Sequence, residues 1–382
     1  METLVISSAF WLGRRVFVTG HTGFKGAWLS LMLSRLNTRA TGFALAPPTT
    51  PSLFALAGVA DHIDDRRGDV RDLAALTEAM QAAAPEIVIH MAAQPLVRES
   101  YNDPVATYAT NVMGVVNVLD AARHTPSVRL VLVVTSDKCY DNRGWAWGYR
   151  ETDALGGRDP YSSSKACAEL VAAAWRDSFR ETGVAIFSAR AGNVIGGGDF
   201  AADRILPDAL RAFSAGRSLK LRNPKAVRPW QHVLEPLTGY LRLIEQAMTS
   251  PGAAAELEGG VNFGPGPESE RSVEDLLTQF ASCWGPGPGW ETEGGPHPHE
   301  ARLLSLDTAK ARELLGFAPI LDFEQATLWT AQWYRAFLDT DDIVALTMKQ
   351  IDRYLGRRVR LSSPFAQAAF RDAQDDRRIN AR

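Results

Sequence analysis

The sequence RVFVTGHTGFKG runs from Arg15 to Gly26 and joins an apolar segment to a glycine-rich turn. Its first five residues are typical of a strand buried on both faces, and a helical pattern follows from Phe24 to Leu36. In such a unit Gly20 permits a tight turn, Gly23 lets the backbone approach a ligand, and Gly26 allows the helix to pack closely on the strand. The helix start then offers free amides to a pyrophosphate. The alternative is a loop that needs glycine only for its backbone, but the position between a strand and a helix favours a dinucleotide site.

Predicted strands and helices alternate after this unit as far as Arg190. We expect strands at Ala40–Ala44, His62–Arg66, Glu86–Met91, Val128–Val134 and Val184–Arg190. We expect helices at Leu73–Ala84, Pro104–Arg123 and Asp159–Arg180. This alternation predicts an α/β fold with a doubly wound, parallel, Rossmann-type sheet and right-handed connections.

The alternation ends at residues 196–198, where three glycines follow one another. We therefore predict a dinucleotide-binding domain at 11–195 and a smaller, mixed, substrate-binding lobe at 196–355, with a return of the chain to the first domain near 233–262. Residues 356–382 mix charges with few apolar side chains and are expected to form a loose tail. The elements expected in the lobe are Leu206–Ala215, Leu219–Arg222, Pro236–Met248, Ser272–Trp284 and the loop Gly285–Gly289.

The chain has 382 residues, a formal net charge of -3, and fractions of apolar and charged residues that are typical of globular proteins. That charge gives no reason to expect nucleic acid or an anionic membrane as a partner. The three cysteines are scattered, and their spacing predicts neither a metal site nor disulfides. The start of the chain lacks a secretory signal, and no apolar run approaches the roughly 20 residues that span a bilayer. We expect a soluble, cytoplasmic protein.

A redox base is predicted by the pair Tyr161 and Lys165, which lie four residues apart and so share one helix face. The ammonium is expected to lower the pKa of the tyrosine, and Lys165 can also reach a nicotinamide ribose. The chain has eight tyrosines, so a chance match is the alternative. Its position after the apolar strand Val128–Val134 favours the functional interpretation.

A second set of reactive side chains, Ser136, Asp137 and Lys138, stands where the strand Val128–Val134 ends. Ligands bind at that edge of open α/β sheets. Ser136 is a candidate hydrogen-bond donor to a hydroxyl, Asp137 a candidate acid and Lys138 a candidate base. The alternative is an ion pair at a strand end. Simple hydride transfer needs no such pair, so the sequence predicts oxidation followed by elimination, the chemistry of a dehydratase.

The cofactor is predicted to be NAD, because the proposed reaction consumes and regenerates an oxidised nicotinamide. The stretch Thr41–Ala46 carries no carboxylate for an adenosine ribose and no arginine for a 2'-phosphate. Asp69 and Val70 are expected at the adenine edge.

Long motifs in this chain resemble the extended short-chain dehydrogenases/reductases that act on nucleotide-activated sugars. The resemblance covers nearly all of residues 11–355. Its motifs are WLGRRVFVTGHTGFKGAW at 11–28, APPT at 46–49, HMAAQPLV at 90–97, TNV at 110–112, TSDKCY at 135–140, RAGNVIGGGD at 190–199, RPWQHV at 228–233 and HEA at 299–301.

The resemblance implies a role for each matching residue. Tyr161, assisted by Lys165, deprotonates the sugar 4-hydroxyl as NAD takes the hydride. Asp137 is the acid at the 6-hydroxyl, and Lys138 acts in removal of the carbon 5 proton. Enzymes for dTDP-sugars carry Thr-Asp-Glu where this chain has Ser136-Asp137-Lys138, and those for CDP-sugars carry the lysine, which implies CDP-glucose as the substrate.

The resemblance also implies binding residues, which complete the expected site. Those for the cofactor, besides the three glycines and the catalytic pair, are Phe24, Asp69, Val70, Ala92, Ala93 and Thr110. Those for the substrate are Gln94, Asn193, Arg204, Arg228 and His299, with His232 and Glu300 as weaker candidates. His21, His90, Cys139 and Cys167 are expected to be structural. A homodimer or tetramer is expected.

Three other functions remain open on the sequence. One is a 4,6-dehydratase for a dTDP- or GDP-sugar. Another is a nucleotide-sugar 4-epimerase or reductase, which would need Tyr161 and Lys165 but no elimination pair. The third is a catalytically silent NAD-binding scaffold.

Overall fold

The structure is a computed structural model that describes residues 6–283, 289–292 and 304–362, with side chains as far as residue 356. Its strands are β1 (Arg15–Thr19), β2 (Arg39–Ala44), β3 (Asp64–Arg67), β4 (Ile87–His90), β5 (Leu130–Val134), β6 (Ala185–Ala191), β7 (Val194–Ile195), β8 (Leu219–Leu221), β9 (Val227–Pro229), β10 (Gln231–His232), β11 (Gly260–Phe263), β12 (Glu270–Ser272) and β13 (Trp290–Thr292). Its α-helices are α1 (Ser8–Trp11), α2 (Phe24–Arg35), α3 (Leu53–Leu56), α4 (Leu73–Ala83), α5 (Val97–Asn102), α6 (Pro104–Tyr108), α7 (Gly114–Arg123), α8 (Pro160–Ser178), α9 (Ile205–Ser214), α10 (Leu234–Thr249), α11 (Pro251–Leu257), α12 (Val273–Ser282), α13 (Ala309–Leu315), α14 (Phe323–Leu338) and α15 (Ile343–Ser362).

A seven-stranded parallel sheet in the order β11-β6-β5-β4-β1-β2-β3 organises the molecule. Alternate residues of its central strands enter different cores. In β1, Val16 and Val18 join one apolar cluster and Phe17 joins another. In β5, Leu132 belongs to the first cluster and Val131 to the second. Both faces of the sheet are therefore covered, and the predicted doubly wound α/β fold is confirmed.

The chain returns to this sheet after it has built part of the second lobe. The helix α10 contacts α2 and β5, and β11 pairs with β6 as the edge strand. The lobe itself contains the short pairs β9 with β12 and β8 with β13. The helix α15 continues to Ser362, beyond residue 356 where a loose tail was expected to begin, and residues 363–382 lie outside the described part.

Several predicted boundaries differ from the structure. A π-helical turn at Ala109–Met113 interrupts the helix expected at Pro104–Arg123. The third strand is short and polar and begins at Asp64, two residues after its predicted start. Most of the Gly285–Gly289 loop lies outside the described residues. Within the described helices, none is both long and apolar enough to cross a membrane.

Candidate active site

The turn between β1 and α2 forms a cradle with an uncapped helix start. Gly20 has a φ of +77°, and a side chain there would meet the backbone nitrogen of Ala92 at 2.6 Å. A side chain at Gly26 would meet the carbonyl oxygen of Gly20 at 2.1 Å. Gly23 is the N-cap of α2, and no side chain caps the first turn. The amides at Phe24 and beyond therefore face outward, which suits a pyrophosphate.

The floor beneath this cradle is built around His21, which is fully buried. Its Nε2 lies 2.8 Å from Oδ1 of Asp65, and its ring packs against Gly42. Burial lowers the pKa of His21, although the bond to Asp65 opposes the shift. Arg67 donates to the carbonyl of Leu45 and pairs with Asp65. The sequence analysis missed this arginine, which β3 brings to the end of β2, but its charge is compensated by Asp65.

The adenine-edge candidates occupy two different environments. The carboxylate of Asp69 binds Arg71, which lowers the pKa of Asp69. Val70 is buried against Gly114, and its carbonyl accepts a hydrogen bond from Asn117. Both residues follow shortly after the end of β3, and their contact with adenine stays a prediction.

The segment after β4 packs against the glycine turn. The amide of Ala92 donates to Oγ1 of Thr19, and Ala93 follows it. Thr110 lies half-buried in the π-helical turn. The buried neighbour Asn111 bonds the backbone of Gln94 in both directions and donates to Ser164 on α8. Asn111 was not among the predicted site residues, although its motif was recognised.

Gln94, a predicted substrate residue, uses its side chain within the protein. Its Oε1 accepts from the amide of Leu96, and its Nε2 donates to Thr107 and to the carbonyl of Leu96. These bonds fix the loop that leads from β4 into α5.

The three reactive side chains after β5 lie close together. The Ser136 hydroxyl donates to Oδ1 of Asp137 at 2.8 Å and accepts from the amide of Lys138. Asp137 is 1% exposed, and Asn193 donates to its Oδ2 at 3.3 Å. The Nζ of Lys138 lies 3.8 Å from Oδ1 of Asp137. A side chain at Gly192 would meet Oδ2 of Asp137 at 1.9 Å, so the carboxylate is tightly enclosed.

Tyr161 and Lys165 lie in the first two turns of α8, where Asp159 caps the helix. Both are buried. Burial raises the pKa of Tyr161 to about 12, against a hydrogen bond with Ser136 that lowers it. Burial lowers the pKa of Lys165 to about 8. The expectation that the ammonium lowers the pKa of the tyrosine is therefore wrong here, because desolvation dominates and Lys165 instead donates to the carbonyl of Val134.

A buried charge network supports this pair and was missed by the sequence analysis. Glu169, one turn beyond Lys165, accepts hydrogen bonds from Thr135, Ser188 and Arg190. Arg190 also donates to the hydroxyl of Tyr140. Thr135 immediately precedes Ser136, so the network holds the strand end on which the reactive group stands. The signal in the sequence that could have predicted this network is the four-residue spacing of Glu169 from Lys165, which places both on one face of α8.

The remaining predicted residues lie around the second lobe or in the core. Arg204 is the N-cap of α9, and its Nη1 lies 3.5 Å from Oδ2 of Asp199. Arg228 lies in β9 and donates to its neighbour's carbonyl. Burial lowers the pKa of His232 to about 3, which suits a neutral core residue. His299 and Glu300 lie outside the described residues.

Of the other residues expected to be structural, His90 and Cys139 are buried, and Cys167 is partly buried. Burial, followed by the charge of Lys165, lowers the pKa of His90 to about 3, and its Nδ1 lies 2.7 Å from Oγ1 of Thr19. Cys139 is fully buried and its pKa is raised by burial, while Cys167 is partly buried; both thiols are free. Among the described residues, no cluster of His, Cys, Asp or Glu could hold a metal ion.

The fold and this site define a nicotinamide-dependent enzyme, and comparison with known families agrees. Residues 16–254 match the NAD dependent epimerase/dehydratase family. The chain belongs to this family, and NAD is its cofactor, as predicted.

Individual relatives narrow the resemblance. The chain is 45% identical over 362 residues to a CDP-glucose 4,6-dehydratase of Salmonella typhimurium, which covers 93% of this chain and 100% of that relative. It is 29% identical over 331 residues to a dTDP-glucose 4,6-dehydratase of Mycolicibacterium smegmatis, with 84% of this chain and 93% of the relative covered. Among solved structures, a dTDP-glucose 4,6-dehydratase from Bacillus anthracis in complex with NAD superposes with a TM-score of 0.70 at 21% identity, covering 87% of this chain and 100% of the other. That likeness supports the fold.

Proposed function

We propose that this enzyme converts CDP-glucose to CDP-4-keto-6-deoxyglucose by oxidation at carbon 4, elimination of water across carbons 5 and 6, and return of the hydride to carbon 6. The observation that carries the proposal is the group of Ser136, Asp137 and Lys138 beside Tyr161, in which Asp137 is buried and Lys138 remains partly exposed. Oxidation alone needs no such second acid and base. The 45% identity to a CDP-glucose 4,6-dehydratase over the whole of that relative supports the substrate.

The cradle at the start of α2 fits the dinucleotide, since Gly20 and Gly26 leave no room for side chains and the first amides of the helix are uncapped. Phe24 begins α2 and Ala92 lies against Gly20, which supports both as cofactor contacts, and Ala93 and Thr110 remain candidates from the sequence. When bound there, NAD supplies a hydride acceptor and, later, a hydride donor.

Tyr161, Lys138 and Asp137 each transfer one proton in the proposed reaction. Tyr161 takes the proton of the 4-hydroxyl, and Ser136, its hydrogen-bond partner, positions that hydroxyl. The resulting ketone acidifies the proton at carbon 5, which Lys138 collects. Asp137 protonates the 6-hydroxyl as water leaves. When the hydride returns to carbon 6, Lys138 gives its proton back to carbon 5, and the proton gained by Tyr161 balances the one lost by Asp137. The sum is loss of one water with no net oxidation of the substrate.

The nucleotide sugar is expected in the cleft between the lobes. Arg204 is a candidate for its diphosphate, because a guanidinium matches phosphate oxygens in a bidentate manner. Arg228 and His299 remain candidates from the sequence alone. Asn193 contacts Asp137 directly, so we assign it to the orientation of the acid.

Incubation of the purified protein with CDP-, dTDP-, UDP- and GDP-glucose tests the proposal. Mass spectrometry is expected to show loss of water, with CDP-glucose turned over fastest. A product of unchanged mass would establish the epimerase instead, and a reduced product would establish a reductase. Absence of turnover on all four nucleotides would favour the silent scaffold.

The path of the hydride provides a stricter test. Deuterium placed at carbon 4 of CDP-glucose is expected at carbon 6 of the product, because one cofactor molecule receives and returns the same hydride. Nuclear magnetic resonance of the product locates the label. Label retained at carbon 4, or reduced cofactor released in proportion to product, would contradict the mechanism.

We also propose that the protein is a cytoplasmic homodimer joined through the adjacent helices α6 to α8. The support is a set of exposed apolar side chains there, Val105 at 78%, Leu170 at 58% and Met113 at 50% exposure. Leu170→Glu is expected to shift the mass measured by light scattering from dimer to monomer, because a buried carboxylate would be unpaired at the contact. Leu12→Glu, at a loop residue that is 67% exposed, is the matched control. A monomeric wild type would contradict the proposal.

A further inference from the structure

The face of α8 that carries the redox pair extends by one further turn to Glu169. Tyr161, Lys165 and Glu169 follow one another at intervals of four residues, so their side chains share that face, and all three are buried. The proposed reaction gives Glu169 no proton to transfer. A buried carboxylate costs free energy unless it is paired and hydrogen-bonded, so the partners of Glu169 indicate what it does.

The two oxygens of the Glu169 carboxylate have different partners. Oε2 accepts from the hydroxyl of Ser188 at 2.6 Å and from Nη2 of Arg190 at 2.8 Å. Oε1 accepts from the hydroxyl of Thr135. Burial opposes the charge, but the Arg190 guanidinium and these hydrogen bonds lower the pKa of Glu169 below its ordinary value. The carboxylate is therefore ionised at neutral pH, and Thr135 is the donor in its bond to Oε1.

Thr135 joins the end of β5 to the turn Asp137–Cys139, which carries the elimination pair. Its amide donates to the carbonyl of Ala189 on β6 at 2.9 Å. Its hydroxyl reaches Glu169 on α8, and the Ala189 carbonyl, at 3.4 Å, is the longer of the two acceptors of that hydroxyl. Thr135 is thus fixed to the sheet by its backbone and to α8 by its side chain.

The start of α8, where Tyr161 lies, is anchored without this bond. The amide of Tyr161 donates to Oγ of Ser100 on α5 at 3.1 Å, and the side chain of Asp159 caps the first turn of the helix. Loss of the Thr135 hydroxyl would therefore leave Tyr161 in place and would release only the connection between α8 and the turn after β5.

We propose that Thr135 is a positioning residue for the elimination step, because its bond to Glu169 sets the place of Asp137 and Lys138 relative to Tyr161. The inference rests on the dehydration proposed above. A shift of about 1 Å in a reacting group can lower a rate about 100-fold, so one hydrogen bond at the base of the turn can change the elimination rate strongly. Oxidation at carbon 4 depends mainly on Tyr161 and the cofactor and is expected to change much less.

Single-turnover kinetics of the enzyme with bound cofactor separate the two steps in wild type, Thr135→Val and Thr135→Ser. Absorbance of the reduced cofactor reports oxidation of CDP-glucose, and mass spectrometry of quenched samples reports loss of water. In Thr135→Val, which keeps the shape of the side chain but lacks its hydroxyl, the ratio of the elimination rate to the oxidation rate is expected to fall about tenfold. The reduced cofactor should then accumulate to a higher transient level. Thr135→Ser restores the donor and is expected to recover the wild-type ratio.

Thr327→Val is the matched control, because Thr327 is also buried and its hydroxyl donates to the carbonyl of Phe323 within α14. That variant loses a buried hydrogen bond away from the site and is expected to keep the wild-type ratio. A variant that is merely less stable loses both steps in proportion to its unfolded fraction, so the ratio does not respond to stability. Thermal unfolding of each variant measures that fraction.

Other outcomes overturn the inference. An unchanged ratio in Thr135→Val would make Thr135 a structural residue, and an equal fall in Thr135→Ser would show that the hydroxyl is not the cause. Should Thr135→Val fail to fold, Thr135→Ala replaces it, since it lacks the hydroxyl without placing a methyl group against the carboxylate of Glu169. A wild type that does not dehydrate CDP-glucose would refute the proposed function and this inference together. A wild type that dehydrates CDP-glucose while the variant ratio is unchanged would refute this inference alone.

Discussion

Replacement of Tyr161 by phenylalanine is expected to lower turnover of CDP-glucose at least about 100-fold, the usual contribution of a positioned acid-base group. The variant loses the hydroxyl that bonds Ser136 and accepts the substrate proton, but it keeps the ring that packs at the start of α8. Substrate affinity should therefore change little. Steady-state kinetics give the rate, and calorimetry with CDP-glucose gives the affinity.

The pH profile separates a catalytic tyrosine from a structural one. Burial raises the pKa of Tyr161 to about 12, so its deprotonated fraction increases throughout the range in which the protein can be assayed. The wild-type rate of oxidation at carbon 4 is expected to rise with pH, and the residual rate of Tyr161→Phe should lose that dependence. Tyr101→Phe, at an exposed tyrosine, is the control. A Tyr161→Phe variant with full activity would mean that the Tyr-x-x-x-Lys spacing is a chance match.

The sheet could be predicted because the sequence of each central strand is itself a recognisable pattern. The strand β5 is a run of apolar residues that is buried along its whole length, and such runs are typical of parallel sheets that helices cover on both faces. The edge on which Ser136 and Asp137 stand follows from the parallel order, since the carboxyl ends of all strands meet there.

The pKa shifts in the site and the ion pairs between distant parts of the chain could not be predicted in this way. The four-residue spacing of Tyr161 and Lys165 shows a shared helix face, but it does not show how deeply both are buried, and burial determines the direction of both pKa shifts. The bond of Glu169 to Arg190 joins elements whose proximity depends on the pairing of β5 with β6. Arg67 reaches the end of β2 only through its register opposite Ala44.

Asp137→Asn and Lys138→Ala are expected to abolish dehydration while oxidation at carbon 4 continues. The asparagine keeps the shape of Asp137 and can still accept hydrogen bonds from Ser136, but it has no proton to give the leaving hydroxyl. Without elimination, no acceptor forms at carbon 6 for the returning hydride. Rapid mixing with CDP-glucose should then show absorbance of the reduced cofactor that rises and persists, where the wild type shows only a transient.

The two variants should differ in their treatment of the carbon 5 proton. Lys138 is 35% exposed and lies 3.8 Å from Asp137, so it can reach a substrate held in the cleft without loss of its solvent contact. In Lys138→Ala the ketone still acidifies the carbon 5 proton, but no base collects it, and its exchange with deuterated solvent should slow. In Asp137→Asn the base remains, so exchange should continue although water is not lost.

Asp141→Asn controls for removal of a carboxylate on the same loop, because Asp141 pairs with Arg143 away from the reactive group. That variant is expected to dehydrate CDP-glucose normally. If both Asp137→Asn and Lys138→Ala dehydrate CDP-glucose at the wild-type rate, the two residues have no role in elimination and form only an ion pair at the end of β5. The epimerase and reductase interpretations would then account for Tyr161 and Lys165 equally well, because those reactions require the redox pair but no elimination.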